Sequence, residues 1–283
     1  MKKNYNLALC SSSNNKNKHQ GRGAMDPALI KRVLEQISAI KDQMIVIKLS
    51  DIIISDEILL TNFAKNVNLL CESGARIFIV HEYDSIVEEK IKEFEQLPGL
   101  SNSYFGQDKK AELVEMIISG RINRNITAKL CANSVQAVGL SGKDNNSILA
   151  IKSNNTYKGD IQVINPDILL TNDANNLVSV LSPVACNEKG RTVILDSSMT
   201  ASMLAMAIGA DHLIMMSDDN YFSKNDIIIR DLPELHSILE NTSEVDANSP
   251  DLRATKFALQ NAECSVYFLN ANNKDQLILK FLS

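Results

Sequence analysis

The residues able to do chemistry gather just after two apolar runs. Lys48 sits near the end of Met44 to Leu49 and is followed by Ser50 and Asp51, and the run Arg76 to Val80 leads into His81-Glu82-Tyr83-Asp84-Ser85. A lysine in such a turn can neutralise a phosphate. The phosphate also needs backbone amides, and glycines that let the chain come close. Neither turn contains glycine. Taken alone, the two turns suggest no phosphate site, and Lys48 reads as a solvated or ion-paired strand-end lysine. A lone strand-end histidine such as His81 is more often structural than catalytic. The five cysteines (Cys10, Cys71, Cys131, Cys186, Cys264) are scattered, odd in number and without a C-x-x-C pair, which points away from zinc and towards a reducing compartment.

The elements that must position these residues follow from periodicity. Leu29, Val33, Ile37 and Ile40 recur at helical spacing after an Asp-Pro start, predicting a helix over Pro27 to Ile40. Leu59, Leu60, Phe63, Val67 and Leu70 predict a second helix from Asp56 to Glu72, stopped at Gly74. With the strands Met44 to Leu49 and Arg76 to Val80 this makes a βαβ unit, and the near-continuous apolar strands are those of a parallel sheet covered on both faces. Helices are expected at Ile86 to Phe94, Lys109 to Ile118, Asn123 to Ala132, Met199 to Ile208, Pro250 to Asn261 and Asp275 to Phe281. Strands are expected at Val135 to Leu140, Ile148 to Ile151, Ile161 to Ile164, Val178 to Leu181, Thr192 to Leu195, His212 to Met216 and Ser265 to Leu269. The pattern is a doubly wound α/β architecture in two lobes divided near Asn172 to Asn176, with ligands at the C-terminal strand ends.

Composition excludes several classes. The 283 residues are 45% hydrophobic, with 29 basic against 34 acidic side chains and a net charge of −5, so no cationic surface is expected for nucleic acid or an anionic membrane. Charges interrupt every apolar segment before it reaches the ~18 to 20 residues of a membrane span. The apolar patch before Cys10 is shorter than the ~7 to 15 residues of a secretory leader core. Residues 1–25 read as a disordered or vector-derived tail, and a cytoplasmic location is expected.

Four collinear stretches carry a resemblance. Val114-Glu-Met-Ile-Ile-Ser-Gly120, Ile122-Asn123, Ala137-Val-Gly-Leu-Ser-Gly-Lys-Asp144 and Ile164-Asn-Pro-Asp167 resemble, in order and spacing, the central blocks of the N-acetylglutamate kinases of the amino-acid kinase family. The similarity runs from about Pro27 to Ser283, and Ser-Gly-Lys-Asp is its most specific piece. The resemblance implies a three-layer α/β/α sandwich with a largely parallel central sheet, of the carbamate-kinase type. It implies an N-terminal lobe (26–174) with an oligomerisation helix, an acyl-amino-acid site and a dimer interface, and a C-terminal lobe (175–283) that binds ATP and Mg2+. The implied reaction passes the γ-phosphoryl to the side-chain carboxylate of N-acetyl-L-glutamate, a step of arginine biosynthesis, using two lysines, two glycine turns and an organising aspartate.

Carried over position by position, the family's K-x-G-G lysine falls on Lys48, with Ser50 and Asp51 in place of the glycines. The H-G-G-G turn becomes His81-Glu82-Tyr83-Asp84, which sets two carboxylates beside the expected phosphate. Like charges at ~4 Å repel by about 1 kcal/mol in water and about 4 kcal/mol at an effective dielectric of 20. The substrate-clamping arginine falls on Tyr104, or near Ser101 with a small gap. The N-x-N-A-D segment falls on Ile194 to Ser198, which leaves Ile194 for the substrate-binding asparagine and Ser198 for the aspartate, with Asp196 as a possible stand-in. The second phosphate-binding lysine falls on Asp251, and Arg253 is the nearest base. Ser217-Asp218 resembles the start of the nucleotide-binding loop, and the Gly-Thr-Met ending of arginine-inhibited members is missing, so arginine feedback is not expected.

The expectation is therefore a kinase-like protein that is inactive or strongly impaired, acting as a partner subunit or as a sensor of a small molecule such as an N-acetylglutamate-like acid or a nucleotide. ATP and Mg2+ are expected as cofactors if activity remains, and otherwise none. The alternatives are a working kinase in which Lys48, Asp196 and Arg253 are rearranged for another acid, and a non-catalytic oligomer. A homodimer or hexamer is expected.

Overall fold

The computed structural model describes residues 35, 38–95, 106–154, 156–217, 227–240, 249–273 and 276–282. The expected tail 1–25, most of the expected helix Pro27 to Ile40, Tyr104 and Asp218 lie outside the described residues. In chain order the elements are β1 (Met44–Leu49), α1 (Asp51–Ser55), α2 (Glu57–Glu72), β2 (Arg76–His81), α3 (Asp84–Glu95), α4 (Gln107–Glu115), a π-helical turn (Met116–Ile122), α5 (Asn123–Ala132), β3 (Ala137–Ser141), β4 (Ile148–Lys152), β5 (Gly159–Ile164) and α6 (Asp167–Ala174). They continue with β6 (Val178–Ser182), β7 (Val184–Cys186), β8 (Thr192–Ile194), α7 (Ser197–Ile208), β9 (His212–Ser217), β10 (Ile227–Ile229), α8 (Leu232–Glu240), α9 (Pro250–Asn261), β11 (Ser265–Asn270) and α10 (Gln276–Leu282).

Seven strands form one sheet in the order β10-β11-β9-β1-β2-β6-β3, parallel throughout except for the β10–β11 edge. Strand side chains alternate between faces, and the sequence fills both. Ile45, Ile47, Leu49, Ile77 and Ile79 pack on one side with Leu60, Phe63, Val67 and Leu70 of α2 and Ile126 and Leu130 of α5. Val46, Phe78, Val80, Leu213 and Met215 pack on the other with Ala201, Leu204 and Ala205 of α7 and Leu252, Ala254 and Ala258 of α9. The result is a three-layer α/β/α sandwich with a largely parallel sheet. Lys48 and Glu82 share parity with Val46 and Val80, so both project towards α7 and α9. His81 shares parity with Ile79 and projects towards α5.

Local chemistry sets the boundaries. Asp56 caps α2, its Oδ1 accepting from the amides of Ile58 (2.7 Å) and Leu59 (2.9 Å). The helix ends at Gly74, whose φ of +88° suits a residue without Cβ. Where the sequence predicted two separate helices, α4 and α5 are joined by the π turn, a wider winding that carries Ser119 and Gly120 through without a break.

A smaller sheet, β5-β4-β7-β8, stands beside the large one, and the Ser141 to Asp144 block forms the junction. Asp144 Oδ2 accepts from the Ser141 amide (2.6 Å) and hydroxyl (2.9 Å). Lys143 Nζ donates to Glu115 Oε2 (2.7 Å) and Thr192 Oγ1 (2.8 Å), tying the turn to α4 and β8. A Cβ on Gly142 would stand 2.7 Å from the Val184 carbonyl oxygen and from Ile148 Cβ. The most specific block of the resemblance is therefore a brace between two sheets. No helix among the described residues is long and apolar enough to cross a membrane.

Candidate functional site

At the C-terminal ends of β1 and β2 the structure assembles four side chains that the sequence supplied from distant places. Lys48 comes from β1, and Glu82 follows β2 directly. Ser198 lies in the first turn of α7, which Asp196 caps by accepting from the Met199 amide (2.7 Å). Asp251 lies in the first turn of α9, entered through Pro250 and capped by Ser249 Oγ, which accepts from the Leu252 amide (3.3 Å). A carboxylate suits a helix's first turn because it faces the positive end of the helix dipole.

Lys48 is 1% exposed, so its ammonium has no bulk water to solvate it. Its Nζ meets Asp251 Oδ1 at 2.9 Å and Oδ2 at 3.0 Å, and it is ion-paired with Glu82 Oε1. Three carboxylate oxygens thus face the three N–H donors of the ammonium. Ser198 Oγ donates to Asp251 Oδ1. The second oxygen of Glu82, Oε2, accepts from the Asp51 amide at 3.0 Å, and Asp51 Oδ2 accepts from the Ser85 amide at 3.0 Å. The turns after β1 and β2 are thereby stitched together by carboxylates.

The electrostatics follow from this geometry. Burial by itself pushes the Lys48 ammonium down, but Asp251 and then Glu82 override it and hold it above its ordinary value. Burial lifts the Glu82 carboxyl, against the pull of Lys48. One ammonium between two carboxylates leaves the trio with an excess of negative charge. Asp84 is likewise raised by burial, with Asp196 and Asp51 adding to the shift and Lys158, 3.5 Å away, opposing it.

The other candidates have structural contacts. Tyr83 is buried and its hydroxyl donates to the Leu195 carbonyl (2.9 Å), tying the β2 turn to the end of β8. Its phenol is raised by burial first and by Asp84 and Asp196 next. Ile194 is fully buried in the core. Ser50 is buried, and its Oγ has no hydrogen-bond partner among the described residues. Ser217 is buried at the end of β9, where its carbonyl accepts from the Ala271 amide (2.9 Å). Asp196 is an exposed helix cap and Arg253 is exposed on α9.

Sequence reasoning passed over Asn123 as a polar anchor. It is buried at the start of α5, and its Nδ2 donates to the Val180 carbonyl (2.8 Å) and to His81 Nε2 (3.3 Å). His81 Nδ1 lies 3.0 Å from the Glu82 carbonyl, so Nδ1 carries the proton. Burial pushes this imidazole down to about 4, and it is neutral at pH 7.

At Lys48 the ammonium that a triphosphate would need is engaged by Glu82 and Asp251. Among the described residues, no cluster of three or more His, Cys, Asp or Glu side chains could hold a metal ion.

Comparison with known proteins places the chain among relatives. The acetylglutamate kinase of Campylobacter hominis is 30% identical over 261 residues, covering 88% of this chain and 91% of its relative. That of Methanococcoides burtonii is 26% identical over 275 residues, covering 88% and 89%. Among solved structures, the N-acetylglutamate synthase of Neisseria gonorrhoeae complexed with coenzyme A and N-acetyl-glutamate superposes with a TM-score of 0.70 at 17% identity, over 90% of this chain and 61% of that one. Giardia lamblia carbamate kinase bound to AMP-PNP gives a TM-score of 0.58 at 12% identity, over 84% and 95%. Both likenesses speak for the fold. The sequence pattern of the Amino acid kinase family matches residues 43–270, and with that span and the Campylobacter relative together, the chain belongs to the amino acid kinase family.

Proposed function

We propose that this chain is an acetylglutamate-kinase-like protein in which transfer of the ATP γ-phosphoryl to N-acetyl-L-glutamate is lost or severely reduced, retained as a partner subunit or small-molecule sensor. One observation carries the reading. The buried ammonium of Lys48 is held by Asp251 at 2.9 and 3.0 Å and by Glu82, so the cation that would receive a transferring phosphoryl is already neutralised. Phosphoryl transfer depends on positioning and charge stabilisation, and both are spent on the protein's own carboxylates. The free Cys71, Cys131, Cys186 and Cys264 fit the cytoplasmic setting proposed with this role.

The test is coupled ADP release with N-acetyl-L-glutamate, ATP and Mg2+. Turnover below about 1 s⁻¹, the low end of ordinary enzymes, is expected, and faster turnover refutes the reading.

A further inference from the structure

We infer that Glu82 is a tethered anion filling an oxyanion seat that remains intact beneath it, and that neutralising the acidic lid over Lys48 opens this seat to an inorganic oxyanion of the phosphate class. The inference rests on the reading above and adds an occupant and a determinant.

The geometry is that of a bound anion. One carboxylate places Oε1 on the buried Lys48 ammonium and Oε2 on the Asp51 amide at 3.0 Å. A cation and a backbone N–H converging on two oxygens of one anion is the donor set that an oxyanion asks for. Glu82 brings its own carboxylate there from the adjoining turn. As an intramolecular ligand it competes at an effective concentration that a free millimolar anion cannot match. The Glu82 side chain is 21% exposed whereas that of Lys48 is 1% exposed, so the carboxylate lies on the solvent side of the ammonium. Shortening it or removing its charge exposes the cation without dismantling the core below. Asp251 is the second control. It takes Lys48 from the helix side at 2.9 and 3.0 Å, and with Glu82 neutralised it still balances the ammonium one to one. Removing the Glu82 charge alone therefore gives weak oxyanion binding, and removing both charges gives firm binding.

The experiment compares wild type, Glu82→Gln, Glu82→Gln/Asp251→Asn and the latter with Lys48→Met, by thermal unfolding at ~20 mM inorganic phosphate against sodium chloride of equal ionic strength. A ligand that binds only the folded chain raises Tm by mass action. The expected result is no phosphate-specific shift in wild type, a small one in Glu82→Gln and a rise of about 3 °C or more in the double variant, abolished by Lys48→Met. Glu82→Gln changes a partly exposed group and keeps its shape, so it reports even if the double variant folds poorly. A phosphate-specific shift in wild type equal to that of the variants overturns the inference, as does its absence from every folded variant. Turnover by wild type would end the proposed function, whereas phosphate-blind variants of an inactive wild type would end this inference alone.

Discussion

Ser198 donates its hydroxyl hydrogen to Oδ1 of Asp251, the carboxylate that also grips Lys48, so two residues read separately from the sequence as replacements act as one unit. Ser198 orients the carboxylate and the carboxylate neutralises the lysine. Ser198→Ala leaves a charged acceptor short of a partner and is expected to cost about 1.5 to 3 kcal/mol in urea unfolding. Ser198→Asp sets like charges together in a buried site and should cost more than Ser198→Ala. Exchanging both positions, Ser198→Asp/Asp251→Lys, should recover most of the loss. A double variant no better than Ser198→Asp would show that the two are not coupled.

Lys48→Met strands two carboxylates that are largely out of water. Breaking a buried pair from one side typically costs about 3 to 5 kcal/mol. In the Glu82→Gln/Asp251→Asn background the same substitution should cost little, because no orphaned charge remains. Denaturant midpoints of the four combinations check this, and an equal cost in both backgrounds counts against the buried trio.

His81 makes stability sensitive to acid. Its folded pKa of about 4 lies below the ordinary imidazole value of 6.5, so the unfolded chain takes up the proton first. Above pH 6.5 both states are neutral and no stability is lost to it. As the pH falls towards 4 stability is lost at up to about 1.4 kcal/mol per pH unit, and below 4 the loss levels off. Glu82, raised by burial, works in the opposite sense over the acid range, so the measurement is a difference. The slope of unfolding free energy between pH 6.5 and 4 should be shallower in His81→Gln than in wild type. Identical slopes would exclude a buried neutral imidazole.

Gly139 is held to its identity by contact. A Cβ there would lie 1.9 Å from Asn123 Oδ1 and 2.9 Å from both Thr127 Oγ1 and Arg124 Nη1. Gly139→Ala must displace the amide that binds Val180 and His81, at about 1 to 3 kcal/mol. Pairing it with Asn123→Ser should return part of that, measured as Tm. A neutral Gly139→Ala would show that β3 and α5 separate easily.

The long elements were legible because their periods are long enough to recognise. Sixteen residues of α2 carry a full apolar stripe, and Pro250 to Asn261 begins and ends where the cap chemistry says. The three-residue strands β7 and β10 hold too few residues to establish alternation, and α1, with five residues, is too short for a helical stripe. Within the site, Lys48, Glu82, Ser198 and Asp251 were each visible as single positions. Their mutual satisfaction was not, because Lys48 and Asp251 are 203 residues apart and meet only when β1 lies against the α9 layer. In the sequence alone the carboxylates stand as groups that repel a ligand. The fold turns them first on the lysine.

The reciprocal ties between the turns after β1 and β2 have a dynamic consequence. The Asp51 amide is held by Glu82 and the Ser85 amide by Asp51, so neither turn can swing outward while the other stays in place. Deuterium should therefore enter both amides in a single opening event, at one shared rate, and the crevice should breathe as one hinged leaf.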